Sequence, residues 1–344
     1  MSYIVISDLH YHEHPEFPTI DIANNVLQQI EDYILKNKID KVFHLGDLYH
    51  SRIKMPIRTI KPLIDRFSKW CEKGIDIYLL KGNPMHDGDN DDYNGHLFPM
   101  ANVIHKPLVY KIDEWGVYFL PFASRESLMH QINLWRKESP YKKVLFVHYA
   151  LQGASILDYE VQLKDSLSKK DLSWFDMVFA GHYHKHQEVW KNAWHVGSPY
   201  RISFAERDDK KGFIHVDNGK VKFIELDVPK MIQLEINSND FAHKGEVKGS
   251  FIKIIINGTE SFIRNFDYEG NKKDWLGLGA LGVKFEIKRT DDIREVREAR
   301  IKKEDTPEKM IDRYFEFTKD QNPNLDVKKL KHLAYIAMKR EPNG

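Results

Sequence analysis

The sequence predicts an α/β layered domain, and three observations carry that expectation. Short, β-rich apolar runs alternate with longer stretches of helical spacing through the first half of the 344-residue chain. Nearly every such run leads directly into a loop bearing His, Asp or Asn, the placement expected where ligands gather at the carboxyl ends of strands. Hydrophobic residues make up 42% and charged residues 30%, the composition of a globular chain rather than a disordered or membrane-spanning one.

In order, Tyr3–Ile6, Lys41–Leu45, Ile75–Leu80, Gly116–Phe119, Val144–Val147 and Met177–Ala180 read as strands, and Ile22–Lys36 and Arg58–Glu72 as helices. After about Val228 the pattern changes. Met231–Ile236 and Phe251–Ile256 alternate like strands, and further elements run through Gly282–Lys288, so residues 229–290 read as a small α+β domain. Residues 291–304 form a charged linker. Thr306-Pro307 then opens a helix, with Thr as N-cap and Pro at the first helical position. Met310, Ile311, Tyr314, Phe315 and Phe317 share its face; after Pro323-Asn324 a second helix carries Leu330, Leu333, Ala334 and Ala337 on one side.

Fifty-two Lys and Arg against 51 Asp and Glu leave a net charge of +1, so nucleic acid can be attracted only by local patches. A single cysteine, Cys71, excludes an internal disulfide framework and a cysteine-based zinc cluster, and fits a reducing compartment. The first residues lack a basic region followed by a long apolar stretch, and no segment approaches the ~20 apolar residues of a membrane span. The expectation is a cytoplasmic protein, of a bacterial or phage-infected cell.

Seventeen histidines are the informative count. The first strand ends in Asp8-Leu9-His10, whose i, i+2 spacing lets both side chains reach one ion on an extended chain. The second ends in Gly46-Asp47, where glycine permits a tight turn and the carboxylate could bridge two cations. The third ends in Gly82-Asn83, the fifth in His148 and the sixth in Gly181-His182-Tyr183-His184. Each fragment alone could be an ordinary loop. Together they form a mixed oxygen and nitrogen set suited to two ions of the Mn, Fe or Zn type, which favours phosphoester hydrolysis. No Gly-rich loop followed by Lys-Ser/Thr occurs, which argues against ATP hydrolysis by this chain.

This order of motifs over roughly residues 1–225 resembles the calcineurin-like metallophosphoesterases, and among them the SbcD/Mre nuclease family. The narrowing rests on Gly46-Asp47-Leu48-Tyr49-His50-Ser51, on His195-Val196-Gly197-Ser198-Pro199-Tyr200 with Phe204-Ala205-Glu206 and Lys211-Gly212-Phe213, and on the small domain and helix pair that follow. The resemblance implies a β-sandwich flanked by helices over residues 1–228, a DNA-contacting capping domain over 229–290, and ATPase-binding helices over 305–344. It assigns Asp8, His10 and His184 to one metal, Asn83, His148 and His182 to the other, and Asp47 to both. Manganese is the expected ion, with Mg, Fe or Zn as other candidates.

The family's Gly-Asn-His-Asp motif is interrupted here by Pro84 and Met85. Either the loop bulges and His86 protonates the leaving oxygen or stabilises its charge, or Pro84 takes that place and the role is empty. His50 either orients the phosphodiester or a metal-bound water, or merely holds Asp47. Arg52, Lys54 and Arg58 follow the bridging Asp and would contact DNA phosphates. Ile57, Ile60, Leu63, Ile64 and Phe67 give Arg58–Glu72 an apolar face for homodimerisation or for packing on the sheet.

The function implied is a manganese-dependent DNA exonuclease and endonuclease of repair and recombination, partnered by an SbcC-like coiled-coil ATPase through residues 305–340, with Tyr314 and Phe315 as anchors. Alternatives are a partner-independent enzyme acting on small phosphodiesters or phosphoproteins, and a decayed scaffold that binds DNA and ATPase only.

Overall fold

The computed structural model describes residues 1–14, 17–53, 55–136, 142–155, 165–237, 247–290, 328–331 and 333. Its elements run β1 (Ser2–Ile6), α1 (Thr19–Asn37), β2 (Lys41–His44), α2 (Ile57–Glu72), β3 (Asp76–Leu80), α3 (Pro84–Asp87), β4 (Asn102–Ile104), β5 (Leu108–Ile112) and β6 (Trp115–Leu120). Next come α4 (Arg125–Trp135), β7 (Lys142–His148), β8 (Met177–Gly181), β9 (Gln187–Trp190), β10 (Ala193–His195), β11 (Gly212–Asp217) and β12 (Lys220–Glu225). The last are β13 (Met231–Ile236), β14 (Phe251–Gly258), α5 (Glu260–Arg264), α6 (Tyr268–Gly277) and β15 (Gly282–Arg289).

Two six-stranded mixed sheets are ordered β12-β11-β1-β2-β3-β4 and β5-β6-β7-β8-β10-β9, and the central strands of both are buried on two faces. Period-2 alternation of side chains distributes each strand between two cores. On β1, Tyr3 and Val5 pack between the sheets while Ile4 and Ile6 meet α1 and α2; on β7, Val144 and Phe146 face inward while Leu145 and Val147 meet α4. The layers are therefore helix, sheet, sheet, helix. Rings fill the middle: Phe43 stacks on Phe146 at 4.3 Å between centroids, and Phe146 on Phe179 at 5.7 Å.

β1 through β4 run parallel, as do β6, β7, β8 and β10, so the carboxyl ends of β1, β2 and β3 share one edge of their sheet, and those of β7 and β8 share one edge of theirs. The expected strands and two helices are present with shifted ends. The pattern did not reveal β4, β5, α4 or the run from β9 to β12.

In α2, Leu63 and Phe67 are fully buried in the hydrophobic core with Trp70, whereas Ile57 at the amino end is 78% exposed. The apolar face read from sequence is thus mostly used within the chain. A third sheet has the order β13-β14-β15. The described residues fall into two compact units, one drawn from Met1–Glu235, Ala242–Ile255 and Asp267–Glu286, the other containing Ile256–Phe266. Residues 291–327, and with them Tyr314 and Phe315, lie outside the described residues, as do Lys54 and most of the second tail helix. Among the described residues no helix is long and apolar enough to cross a membrane.

Candidate metal centre

The loops after β1 and β2 run side by side. Asp8 N–H donates to Gly46 O at 3.0 Å, His10 N–H to Asp47 O at 3.0 Å and Tyr11 N–H to Leu48 O at 2.8 Å. Convergence of Asp8 and His10 does not come from an extended chain, as their spacing suggests. Both residues adopt left-handed backbone, φ 51° and 44°, and so do Asp47 at 54° and His182 at 92°. Non-glycine residues enter that region at a cost of order 1–3 kcal/mol, and such costs concentrate at functional sites.

Glycine makes the approach of the loops possible at two points. A β-carbon at Gly46, φ 100°, would stand 2.5 Å from Gly82 Cα and from His148 Nδ1, and one at Gly82 would stand 2.3 Å from the Asp47 nitrogen. Asp87, buried completely, ties these loops together: its carboxylate accepts from Gly82 N at 2.7 Å, Asp47 N at 2.9 Å and Leu48 N at 3.0 Å. The first residue of the acidic stretch 87–92 is therefore a structural anchor. Burial and the nearby Asp47 charge raise the Asp87 carboxyl to about 6.

Asp47 lies between two imidazoles, with Oδ1 3.4 Å from His148 Nε2 and Oδ2 3.8 Å from His10 Nε2. Asn83 N–H also donates to Oδ1 at 2.7 Å. Asp8 accepts from His182 N–H at 3.1 Å through both oxygens. His10 Nε2 and His184 Nε2 face one another at 3.1 Å. Potential ligand atoms of Asp8, His10 and His184 fall within 4.8 Å of one another, as do those of Asp8, Asp47 and His148, and those of His10, His50 and His86.

The hydrogen bonds determine which ring nitrogen is available. His148 Nδ1 donates to Leu45 O at 2.6 Å, His86 Nδ1 to His50 O at 2.6 Å, and His184 Nδ1 to Glu206 Oε1 at 3.0 Å. These partners only accept, so each neutral ring keeps its Nε2 lone pair free. That is the tautomer a metal-ligating histidine requires, and its second nitrogen is held as such ligands' usually are. His148 Nε2 is buried with no hydrogen-bond partner. Two buried carboxylates facing imidazole lone pairs fit divalent cations and leave an electrostatic debt without positive charge.

The titration pattern expresses that debt. Burial favours neutral His148, but Asp47 and Asp8 overcome it and raise the ring to about 9. Burial likewise opposes the Asp47 carboxylate, yet His148 and His10 hold it well below the usual range. Burial, then the charge of His184, pushes His10 far down; burial and His148 lower His182 to about 4. Burial and His12 lower His50 to about 4.

Asn83 is the N-cap of α3, its Oδ1 accepting from Met85 N–H at 2.9 Å. Pro84 occupies the first helical position and Met85 points outward, 71% exposed, so one helical turn absorbs the two inserted residues. His86 then returns to the cluster with its ring centroid 4.5 Å from that of His10. His50 lies 5.5 Å from His10 and 5.7 Å from His86. Arg52 and Arg58 are not drawn into this cluster. They form ion pairs with Asp89 and Glu13.

Sequence reading gave no role to Glu206, which holds His184 from behind. Its other oxygen accepts from Lys211 Nζ at 2.6 Å, and the Lys211 side chain is wholly buried. Against burial, His184 and Lys211 lower Glu206 to about 2, and its carboxylate in turn raises His184. Phe204-Ala205-Glu206 and Lys211 are visible as a segment in the sequence, but no spacing rule connects them to His184.

The calcineurin-like phosphoesterase family matches residues 1–186, more than half of the chain, and the chain belongs to this family. Its members bind divalent metals, the family supports phosphoester hydrolysis as this chain's chemistry, and three groups of its side chains could hold such ions. The DNA double-strand break repair protein Mre11 of Methanocaldococcus jannaschii is 24% identical over 226 residues, covering 60% of this chain and 58% of that protein. The match thus spans little more than half of the archaeal relative. A putative phosphoesterase, 244L, of Invertebrate iridescent virus 6 is 26% identical over 281 residues, 75% of this chain and 95% of the viral one. An archaeal phosphodiesterase structure aligns at a TM-score of 0.37 and 14% identity over 66% of this chain and 100% of its own, a likeness that carries no functional weight.

Proposed function

We propose that the chain is a manganese-dependent DNA exonuclease and endonuclease of the SbcD/Mre type, the nuclease subunit of a repair and recombination complex. The observation that carries this reading is the place of Asp47, whose two carboxylate oxygens face His148 on one side and His10 on the other. Asp8, His10 and His184 would hold one ion, Asn83, His148 and His182 a second, and Asp47 both. Bound there, divalent cations supply Lewis acidity and a water of lowered pKa for in-line displacement.

The chain's own residues supply positioning and a proton. His86, pinned through Nδ1 by the His50 carbonyl, presents Nε2 to the cluster. Protonated at that atom, it can donate to the leaving oxygen of a phosphodiester. The His50 ring, between His10, His12 and His86, narrows the space in which a phosphate can sit. Arg52, Lys54 and Arg58 are the proposed backbone contacts. The ion pairs of both arginines are on the surface, where such pairs are worth about 0–1 kcal/mol and yield readily to phosphate.

The similarity to the archaeal repair protein supports DNA as substrate. By the same resemblance, residues 229–290 are proposed as the capping domain and residues 305–340 as the site for an SbcC-like ATPase, with Tyr314 and Phe315 as anchors and a homodimer as the assembled form. The near-complete span of the viral phosphoesterase favours a second reading, partner-independent hydrolysis of small phosphodiesters. End-labelled linear DNA incubated with the chain and manganese separates them. Release of labelled nucleotides supports the nuclease. Intact DNA together with turnover of a small phosphodiester overturns it in favour of the second reading.

A further inference from the structure

Beside the metal-ligand cluster, and within the same compact unit, lies a cavity of about 320 Å³ that no role above uses. It falls within the ~300–1,000 Å³ of small-molecule sites. His14, Phe17, Phe204, Phe251 and Met231 give it an aromatic and apolar lining. The Phe17 ring stacks on His14 at 4.7 Å, meets Phe251 edge-on at 4.8 Å, and lies 6.4 Å from Phe204. His12 also lines the cavity and sits 4.5 Å from His50, which is 5.5 Å from His10. Aromatic rings therefore connect a candidate metal ligand to the cavity.

Its charge is of one sign. Lys253 and Lys284 line it together with Arg201, and no carboxylate does among the described residues. Arg201 is committed to the carbonyls of Arg207, Asp209 and Pro229, which stiffens the wall. Lys253 pairs with Glu286, whereas Lys284 is an exposed cation at this lining. Thr19 Oγ1 is occupied too, donating to His12 O and accepting from His14 N–H.

We propose that this cavity takes the base of the nucleotide flanking the scissile phosphodiester, stacked on Phe17 and Phe204, with Lys284 near its phosphate. The proposal rests on the nucleic-acid reading of the metal centre. Rings with cations and without carboxylates suit a base attached to an anionic backbone. With the threonine and arginine already committed, recognition is by stacking and tolerates any base. A paired base cannot enter, so the substrate is a single strand or a frayed end.

The test reads base binding separately from catalysis. Deoxyadenosine monophosphate is added to the whole chain in EDTA, and saturation transfer to its base protons is measured by NMR, with deoxyribose 5-phosphate as the baseless probe. Wild type should bind the nucleotide well above the baseless probe. Phe17→Ala and Phe204→Ala should each weaken nucleotide binding about tenfold, while Phe17→Trp restores it and thermal melts report intact folds. No transfer to the base in wild type, or unchanged binding in both alanine variants, overturns the proposal.

A second arm places one abasic site along an oligonucleotide in manganese. Slow cleavage beside that site, with the discrimination lost in Phe17→Ala, supports the cavity as the flanking-base site. Equal cleavage at every position removes the cavity's role and keeps the nuclease. Base binding without cleavage of any oligonucleotide overturns the flanking-base assignment together with the nuclease reading.

Discussion

The same strands serve two regions that obey opposite rules. On β2, Phe43 is fully buried and stacks on Phe146 in the aromatic layer between the sheets. Four residues later Asp47 is also buried, but it is charged, left-handed, and faced by imidazoles and the Asn83 backbone N–H. In the first region burial lowers free energy with no further partner. In the second, burial has a cost that hydrogen bonds only partly offset. The contrast teaches where stability and chemistry separate: the layer holds the strands, and the strand ends spend some of that stability on the site.

Substitutions on either side of that boundary should therefore fail differently. Asp47→Asn should cut manganese-dependent turnover by more than about 10³-fold and abolish metal uptake, with a smaller loss of unfolding free energy than Phe146→Ala. Phe146→Ala, in a fully packed layer, should lower unfolding free energy by ~3–5 kcal/mol while the folded fraction keeps its metal affinity. Denaturant titration and metal analysis on both variants check the pair, and equal stability losses would erase the distinction.

His86→Asn comes next. It should keep bound metal and reduce the rate by about 10²–10⁴-fold, as expected when a general acid is removed. Wild-type turnover in that variant would assign proton donation elsewhere. Glu206→Gln is smaller still, because Glu206 reaches the metal cluster only through His184, the ligand behind which it stands. Loss of the charge that orients His184 should weaken metal affinity about 10–100-fold, seen as a shifted manganese titration, with maximal rate recovered at saturation.

The aromatic layer was legible because period-2 alternation and β-rich composition are local. Tyr3–Ile6 and Val144–Val147 declare themselves without knowledge of their neighbours. The convergence of Asp8, His10, Asp47, His148 and His184 was legible for a related reason, since each lies at or shortly after the carboxyl end of a strand, as Asp47 follows Lys41–His44. What the chain concealed was non-local. Asp87 binds backbone groups about 40 residues away, and Glu206 and Lys211 support His184 from a segment beyond β10. The left-handed backbone at Asp8 and His10 was hidden as well, because those residue types do not announce it. The short helix that returns His86 past Pro84 depends on the Asn83 cap, which is a local signal that was available.

The smallest expected effect is a count of protons. Against burial, Asp47 and Asp8 raise His148 to about 9, so at pH 7 the ring is protonated until a cation replaces that charge. Metal binding should then release at least one proton at pH 7, from His148 and in part from His184, which Glu206 raises against burial, and fewer as pH rises through the His148 value, with affinity increasing in the same direction. Calorimetric titration with manganese in buffers of different ionisation enthalpy reads this directly. Proton uptake at pH 7 would reverse the assigned linkage.

The proposed bridging role of Asp47 is tested most directly by the electron paramagnetic resonance spectrum of the metal-stripped chain titrated with manganese. Two equivalents should bind per chain and give the exchange-coupled signal of a pair sharing a ligand, and Asp47→Asn should lose that coupled signal. A single bound equivalent, or two magnetically isolated ions in the unaltered chain, would contradict the two-metal centre.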